Sequence, residues 1–454
     1  MLIRVIKMKE KKIQDWSFLY YFYKPYVKLW FRLFYKKIEV VAPENITSND
    51  FRILAPNHQN ALMDALAILT TIPYQPVFMA RADIFKGKII KNLLRFFKIM
   101  PVFRIRDGIK NLSKNEELFD KALDVVISKK PLCLMPEGNH GDKRRLRPLV
   151  KGMIRLALSA QERFKDKPGV KIIPVGIDYS HYWNFKSTLL VIYGQPIEIS
   201  EYYNSYINDP ARTYNVLRER LADEMRKIMI DIQNNDYYDS IYFLTRFYNS
   251  EVRKRFHLNE DTLLNEFKAS QHIAQILDKT AIDDPEKIKK LSYKIEIYDS
   301  LLKKLKLRNW VLDKEKYSYA GLLIQSLLMI ILFPVFLFGF IHCIIPYSIT
   351  SKSVRIFDDK QFYSSGKYAV GLVLFLIFFA IFFFVAWGIS GNFLLSAVYF
   401  ISLYITGNFA FWYYIQRRKL FGRWRYTIGN NTDSIKKAKL LRTEIQSMMQ
   451  EIIK

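Results

Sequence analysis

The sequence predicts an α/β fold, a mixed sheet flanked by helices, with N-terminal interfacial helices before it and a helical region and membrane helices after it. Three observations carry this. Short β-branched runs alternate with amphipathic stretches over about residues 38–200, the pattern of strands joined by helices. Residues 14–36 interleave aromatic and basic side chains. After residue 318 long uncharged runs begin, each long enough to cross about 30 Å of hydrocarbon. The expected divisions are 1–37 (interfacial), 38–205 (α/β domain), 206–317 (helical), 318–416 (membrane-embedded) and 417–454 (basic helical tail).

The elements follow in chain order. Trp16, Tyr20, Tyr26, Trp30 and Phe34 share a stretch with Lys24, Lys28 and Arg32. Aromatic rings and cations suit the headgroup boundary, and the charges with Pro25 argue against a full crossing. One or two helices lying on a membrane are expected; an aromatic helix packed on the core is the alternative. IEVVA at 38–42 reads as a strand, Pro43-Glu44-Asn45 as a turn, and FRILAPNH opens with a second strand. Helical periodicity covers 60–72, with Asn60 as N-cap. PVFMAR at 76–81 and IMPVFR at 99–104 read as strands around a helix at 85–97. An amphipathic helix at 115–129 precedes the buried strand and loop PLCLMPEG at 131–138. A helix at 149–163 and the strands VKIIPVGIDY and LLVIYGQPI complete the domain.

Residues 208–310 are charged and helical in pattern, broken around 283–285 and followed by one long amphipathic helix. The runs 322–345, 369–387 and 393–415 carry no formal charge. Arg417, Arg418, Lys419, Arg423 and Arg425 come next and should stay cytoplasmic. A basic domain and a basic tail on one side conflict with three crossings. One segment is therefore expected to be re-entrant, through a break at Pro334 or through the GISGN link at 388–392.

The formal charge is +27, from 70 Lys and Arg against 43 Asp and Glu. That balance calls for an anionic partner, and beside membrane-length segments anionic headgroups are a better match than nucleic acid. No nucleic-acid module is visible. The two cysteines, Cys133 and Cys343, make neither a disulfide framework nor a zinc spacing, so no metal site and a reducing compartment are expected. The N-terminal MLIRVIKMKEKKIQDW does not read as a signal peptide.

Four short motifs carry candidate chemistry. In PNHQNALMD, His58 is a candidate base and Asp64 the carboxylate that orients it. The two meet only if His58 lies outside the helix that carries Asp64; a histidine that merely caps that helix is the plainer alternative. In PVFRIRD (101–107), Arg104 and Arg106 alternate and would share one face of a strand, where paired guanidiniums suit a phosphate. In MPEGNH (135–140), Glu137 could bind an acceptor hydroxyl or hold an arginine, and the Gly138 amide could face a phosphate or oxyanion. In IIPVGIDYS (172–180), Pro174 is expected to end a strand stiffly and border a donor pocket.

In order and spacing, PNHQNALMD, PVFRIRD, MPEGNHGDKRRLRPLVKG and IIPVGIDYS resemble the four motifs of the glycerolipid acyltransferases, the family of lysophosphatidic acid and glycerol-3-phosphate acyltransferases. The resemblance covers roughly residues 20–200. It implies an acyltransferase domain with His58 as base, Asp64 as its partner, acceptor-phosphate contacts at Arg104, Glu137 and Gly138, and acyl-donor contacts at the motif carrying Pro174. It implies no bound cofactor, a coenzyme A or acyl-carrier-protein thioester as donor, and conversion of lysophosphatidic acid to phosphatidic acid in phospholipid biosynthesis.

Two departures widen the acceptor. Five residues, Gln59 to Met63, separate His and Asp where four are usual. Asn139 and His140 follow the third motif where Thr-Arg or Ser is usual. With the C-terminal membrane segments, both resemble the fungal branch that acylates glycerol 3-phosphate or dihydroxyacetone phosphate. An aminolipid or other lyso-lipid acceptor stays open, as does a non-catalytic basic membrane-surface protein. The abundance of Lys, Ile, Tyr and Phe fits an AT-rich bacterial genome, hence a bacterial inner membrane with the catalytic domain cytoplasmic.

Overall fold

A computed structural model describes residues 12–46, 50–102 and 112–453. They form two compact units. The first holds the chain through Asp231 together with Thr262–Leu264 and Lys360–Ser365; the second holds the remainder.

The first unit is built on one mixed sheet. Its strands are β1 (Lys37–Val41), β2 (Phe51–Pro56), β3 (Val77–Arg81), β4 (Ile99–Val102), β5 (Leu132–Cys133), β6 (Val170–Tyr179), β7 (Thr188–Tyr193) and β8 (Ile197–Glu198). The spatial order is β1-β7-β6-β2-β5-β3-β4. Strands β6, β2, β5, β3 and β4 run parallel, and β1 runs parallel to β7. β7 and β8 run antiparallel to β6. The central strands are buried along nearly their whole length, as parallel strands covered by helices are. Helices α1 (Phe18–Phe34), α2 (Leu62–Thr71), α3 (Lys88–Phe96), α4 (Leu112–Ile127), α5 (Lys151–Gln161), α6 (Tyr203–Asn208) and α7 (Pro210–Lys227) surround the sheet. Ile53, Val77, Leu132, Met153, Val170 and Leu217 meet in its core.

Four local readings change. The aromatic stretch 14–36 forms one helix, α1, with Pro25 inside it. Tyr20, Val27, Phe31 and Phe34 are buried while Trp16, Phe18, Tyr21 and Phe22 are exposed. Core packing and an exposed aromatic face therefore coexist along this stretch. Helix α2 starts at Leu62, and Asn60 is not its cap. Ala61 holds the cap position at φ 43°, outside helical geometry, with no side-chain cap; Asp64, in the first turn, instead accepts the N–H groups of Gln59 and Asn60 in the loop ahead of the helix. Pro174 does not end its strand. It pairs with Ala55 in mid-β6, and the strand runs on to Tyr179. Its missing N–H is harmless there, because β8 pairs with β6 at 171–172 and β7 at 175–179, leaving a gap at Pro174. The run LLVIYGQPI divides into β7 and β8 around Gly194.

The second unit is helical: α8 (Tyr238–Phe247), α9 (Asn249–Arg255), α10 (Leu263–Asp283), α11 (Pro285–Lys304), α12 (Tyr319–Ile331), α13 (Phe333–Ser353), α14 (Tyr363–Ser390), α15 (Phe393–Ile428) and α16 (Asp433–Ile452). Asp284 caps α11 by accepting from Lys287 N at 3.0 Å, with Pro285 at the first position where no donor is needed. The apolar run 322–345 is divided between α12 and α13 at Leu332, with Pro334 in the first turn of α13. Phe333–Ile356, Lys360–Ser390 and Phe393–Ile428 are long and apolar enough to cross a membrane. The basic cluster Arg417–Arg425 lies in the last turns of α15.

Gly176 lies in β6 where a Cβ would stand 1.9 Å from the backbone oxygen of Ile228. That oxygen belongs to backbone and cannot swing aside as a side chain can. Gly176→Ala should lower stability by about 3 kcal/mol, read as a fall in the thermal midpoint of the detergent-purified protein. An unchanged midpoint would contradict this packing.

Candidate active site

The site forms at the C-terminal ends of β2, β5 and β6, where parallel strands of an open sheet deliver their loops. β2 ends at Pro56. Asn57 then continues the pairing by other means: its N–H donates to Val175 O at 3.2 Å. Its side chain donates to Ile177 O at 3.1 Å and accepts from Ile177 N at 2.7 Å. Asn57 is 2% exposed, so the next residue leaves a fixed point.

That next residue is His58, four residues ahead of α2. Its Nδ1 lies 2.9 Å from Asp64 Oδ2. The same Oδ2 accepts from Gln59 N at 2.9 Å and Asn60 N at 2.8 Å. Oδ1 accepts from the Tyr179 hydroxyl at 2.9 Å. Asp64 is 1% exposed, a buried carboxylate at a helix N-terminus with four donors aimed at it. An ionised carboxylate only accepts, so it assigns the proton to His58 Nδ1 and leaves Nε2 as a base. The His58 side chain keeps 18% of its surface exposed. Burial raises the Tyr179 hydroxyl pKa well above its ordinary value, and the Asp64 charge adds to this; Tyr179 stays a donor.

The third motif packs against this loop. Glu137 Oε1 accepts from His58 N at 2.9 Å, and Oε2 accepts from Arg147 Nε at 3.0 Å. Of the roles open from the sequence, the geometry is that of an arginine holder that also pins the histidine backbone. Burial raises the Glu137 pKa, against the lowering effects of the His58 N–H and Arg147. Gly138 sits at φ +67°, and a Cβ there would stand 3.0 Å from Val150 Cγ1. Its N–H donates to Met135 O at 3.1 Å, so the amide closes a turn and does not face an oxyanion. Gly141 N donates to His58 O at 3.0 Å, and the His140 ring meets the His58 ring edge-on at 5.6 Å. Arg104 and Arg106 lie outside the described residues. Among the described residues no group of three or more His, Cys, Asp or Glu side chains is arranged for a metal.

Residues 37–178 match the family model described as Acyltransferase. This stretch is an acyltransferase domain. It covers under a third of the chain and contains His58, Asp64, Glu137, Gly138 and Pro174. Glycerol-3-phosphate O-acyltransferase 1 of Saccharomyces cerevisiae is 28% identical over 104 residues, 23% of this chain and 14% of the relative. Glycerol-3-phosphate O-acyltransferase 2 of the same yeast is 27% identical over 128 residues, 28% of this chain and 17% of the relative. The chain thus matches under a fifth of the length of these curated relatives. The crystal structure of the 1-acyl-sn-glycerophosphate acyltransferase of Thermotoga maritima aligns with a TM-score of 0.32 and 18% identity, over 44% of this chain and 77% of that one. The resemblance to glycerolipid acyltransferases is supported by the family model and by the two yeast relatives.

Several residues of the acyltransferase domain's site were not singled out from the sequence. Tyr179 and Asp178 end β6; Asp178 holds Arg144 at 2.7 Å, and Arg144 also donates to Tyr179 O at 2.5 Å. Tyr182 donates its hydroxyl to Gln59 Oε1, and its carbonyl accepts from Asn60 Nδ2 at 3.2 Å. The fourth motif marks the place, since DYSHY puts polar side chains at and just past the end of a buried strand, but it does not give their partners. Tyr179→Phe removes one of four donors to Asp64 and should lower kcat about tenfold, roughly 1.4 kcal/mol, with acceptor KM little changed; an unaltered kcat would contradict this role.

Glu137→Ala frees the His58 N–H and Arg147 and should cost about 2 kcal/mol of stability, checked by denaturant unfolding. Glu137→Gln should cost less, since an amide oxygen still accepts. Because the folded pKa of Glu137 is raised, its ionised form costs stability above that pKa. Wild type should gain on Glu137→Gln as pH falls through that raised pKa towards the ordinary carboxylate value. The opposite slope would contradict the burial.

Proposed function

We propose that this chain is a membrane-bound O-acyltransferase that moves a fatty acyl chain from a thioester to the hydroxyl of a glycerol-phosphate acceptor. The observation that carries this reading is the His58 imidazole, fixed through Nδ1 by buried Asp64, with Nε2 unpartnered among the described residues. Nε2 takes the acceptor hydroxyl proton as that oxygen attacks the thioester carbonyl. The tetrahedral intermediate collapses, the carbon–sulfur bond breaks, and the leaving thiolate recovers the proton from His58. No covalent enzyme intermediate is needed. In this reading Arg104 and Arg106 bind the acceptor phosphate, and the donor is a coenzyme A or acyl-carrier-protein thioester.

Lysophosphatidic acid, giving phosphatidic acid, is the first acceptor proposed. Glycerol 3-phosphate or dihydroxyacetone phosphate is the second, supported by the five-residue spacing between His58 and Asp64 and by the names of the yeast relatives. The three long apolar helices, the exposed aromatic face of residues 16–22 and the charge of +27 support attachment to a bilayer with anionic headgroups. We place the catalytic unit on the cytoplasmic side, in a bacterial inner membrane.

Purified membranes assayed with lysophosphatidate and glycerol 3-phosphate, each against both donors, test the acceptor. His58→Ala should abolish transfer while the protein still sediments with membranes. Transfer retained in that variant would contradict the mechanism. Arg104→Ala should raise the acceptor KM more than the donor KM; a rise confined to the donor would contradict the phosphate role.

A further inference from the structure

Six residues from the far end of the sequence, Lys360–Ser365, belong to the catalytic unit. The last three of them open α14, whose long uncharged stretch begins after Lys367, yet three of the six are seated in protein: Gln361 is 7%, Ser364 1% and Ser365 8% exposed. Their contacts converge on the loop that carries His58. Ser365 Oγ accepts from Leu62 N at 3.1 Å, satisfying one of the orphan donors at the start of α2 from 303 residues away. Ser364 Oγ donates to Tyr182 O, the carbonyl that also holds Asn60. The Phe362 ring meets the His140 ring edge-on at 5.0 Å, and His140 meets His58 at 5.6 Å.

We propose that this strap is a wall of the acceptor pocket and that Phe362 is a specificity-determining residue, limiting the space beside His58 Nε2 to a small polar acceptor. The inference rests on the acyl-transfer reading above and, of its two acceptors, favours the smaller, glycerol 3-phosphate, over lysophosphatidic acid. The two serines anchor the strap to the helix start and to the Tyr182 carbonyl, and so fix the position of the ring just ahead of them. His58, His140 and Phe362 form a row of edge-on rings, which brings Phe362 to the flank of the histidine loop. A phenyl ring there would act against the added bulk of a lyso-lipid chain and favour a glycerol phosphate.

The test uses the full-length protein in detergent and two variants, Phe362→Ala and Phe362→Leu. The first readout does not depend on activity: the rate at which diethyl pyrocarbonate modifies His58, followed by peptide mass spectrometry. Phe362→Ala should speed modification several-fold, and Phe362→Leu, which keeps bulk, should stay near wild type. Equal rates in all three proteins would overturn the wall, whatever the enzyme turns over. The second readout is the ratio of kcat/KM for lysophosphatidate to that for glycerol 3-phosphate. Phe362→Ala should raise it about tenfold or more, and an unchanged ratio would overturn the specificity role. Wild-type transfer to neither acceptor would count against the acyl-transfer reading and, with it, against this assignment of acceptor.

Discussion

The carboxylate of Asp64 is the interaction on which the rest of the site depends. It is buried, and it accepts the His58 imidazole, two backbone N–H groups and the Tyr179 hydroxyl. Burying a charge is costly unless it is fully hydrogen-bonded, and here every donor is supplied by a different part of one short neighbourhood. The consequences run outward. Its hold on the Gln59 and Asn60 N–H groups fixes the turn that leads from His58 into α2. Its hold on Nδ1 sets the imidazole tautomer. Its hold on Tyr179 ties the histidine loop to the end of β6.

Around that carboxylate, the sheet determines which loops can meet. β2 is flanked by β5 and β6 in parallel, so their C-terminal ends lie side by side. β2 supplies Asn57 and His58, the chain after β5 supplies Glu137, and β6 supplies Asp178 and Tyr179. Pro56 and Pro174 interrupt the hydrogen-bonding capacity of their strands, and Asn57 makes up for the first through its side-chain amide. Two buried acids thus act at different levels. Asp64 acts on the imidazole ring, and Glu137 on the His58 backbone and Arg147.

Much of this was legible in the sequence. Alternating strands and helices, the apolar runs and the order of four motifs are local patterns, and they gave the mixed α/β sheet and the membrane-length helices. The requirement that His58 lie outside the helix followed from spacing alone. What escaped was whatever depends on partners distant in the chain. Asn60 looked like a cap because a cap is usually the residue before the periodic run, but Ala61 takes that position, and the Leu62 N–H finds its partner in Ser365 Oγ, 303 residues away. Pro174 looked like a strand end because proline lacks a donor, and that inference fails where the neighbouring edge makes no demand for one. Gly138 looked like an anion binder, but its amide is spent on Met135 O. Tyr179 and the strap at 360–365 could not be assigned without the tertiary fold, since neither contact with the α2 region is sequence-local.

The most direct measurement of the central claim is the turnover of an Asp64→Asn enzyme. An asparagine can keep an oxygen toward Gln59 and Asn60 and turn its amide toward Tyr179, so the loop should persist. What it removes is the charge that fixes and stabilises the imidazole. The account predicts kcat lower by about three orders of magnitude or more, with both KM values within a few-fold of wild type and the thermal midpoint largely preserved. Turnover near the wild-type level in a folded Asp64→Asn protein would contradict it.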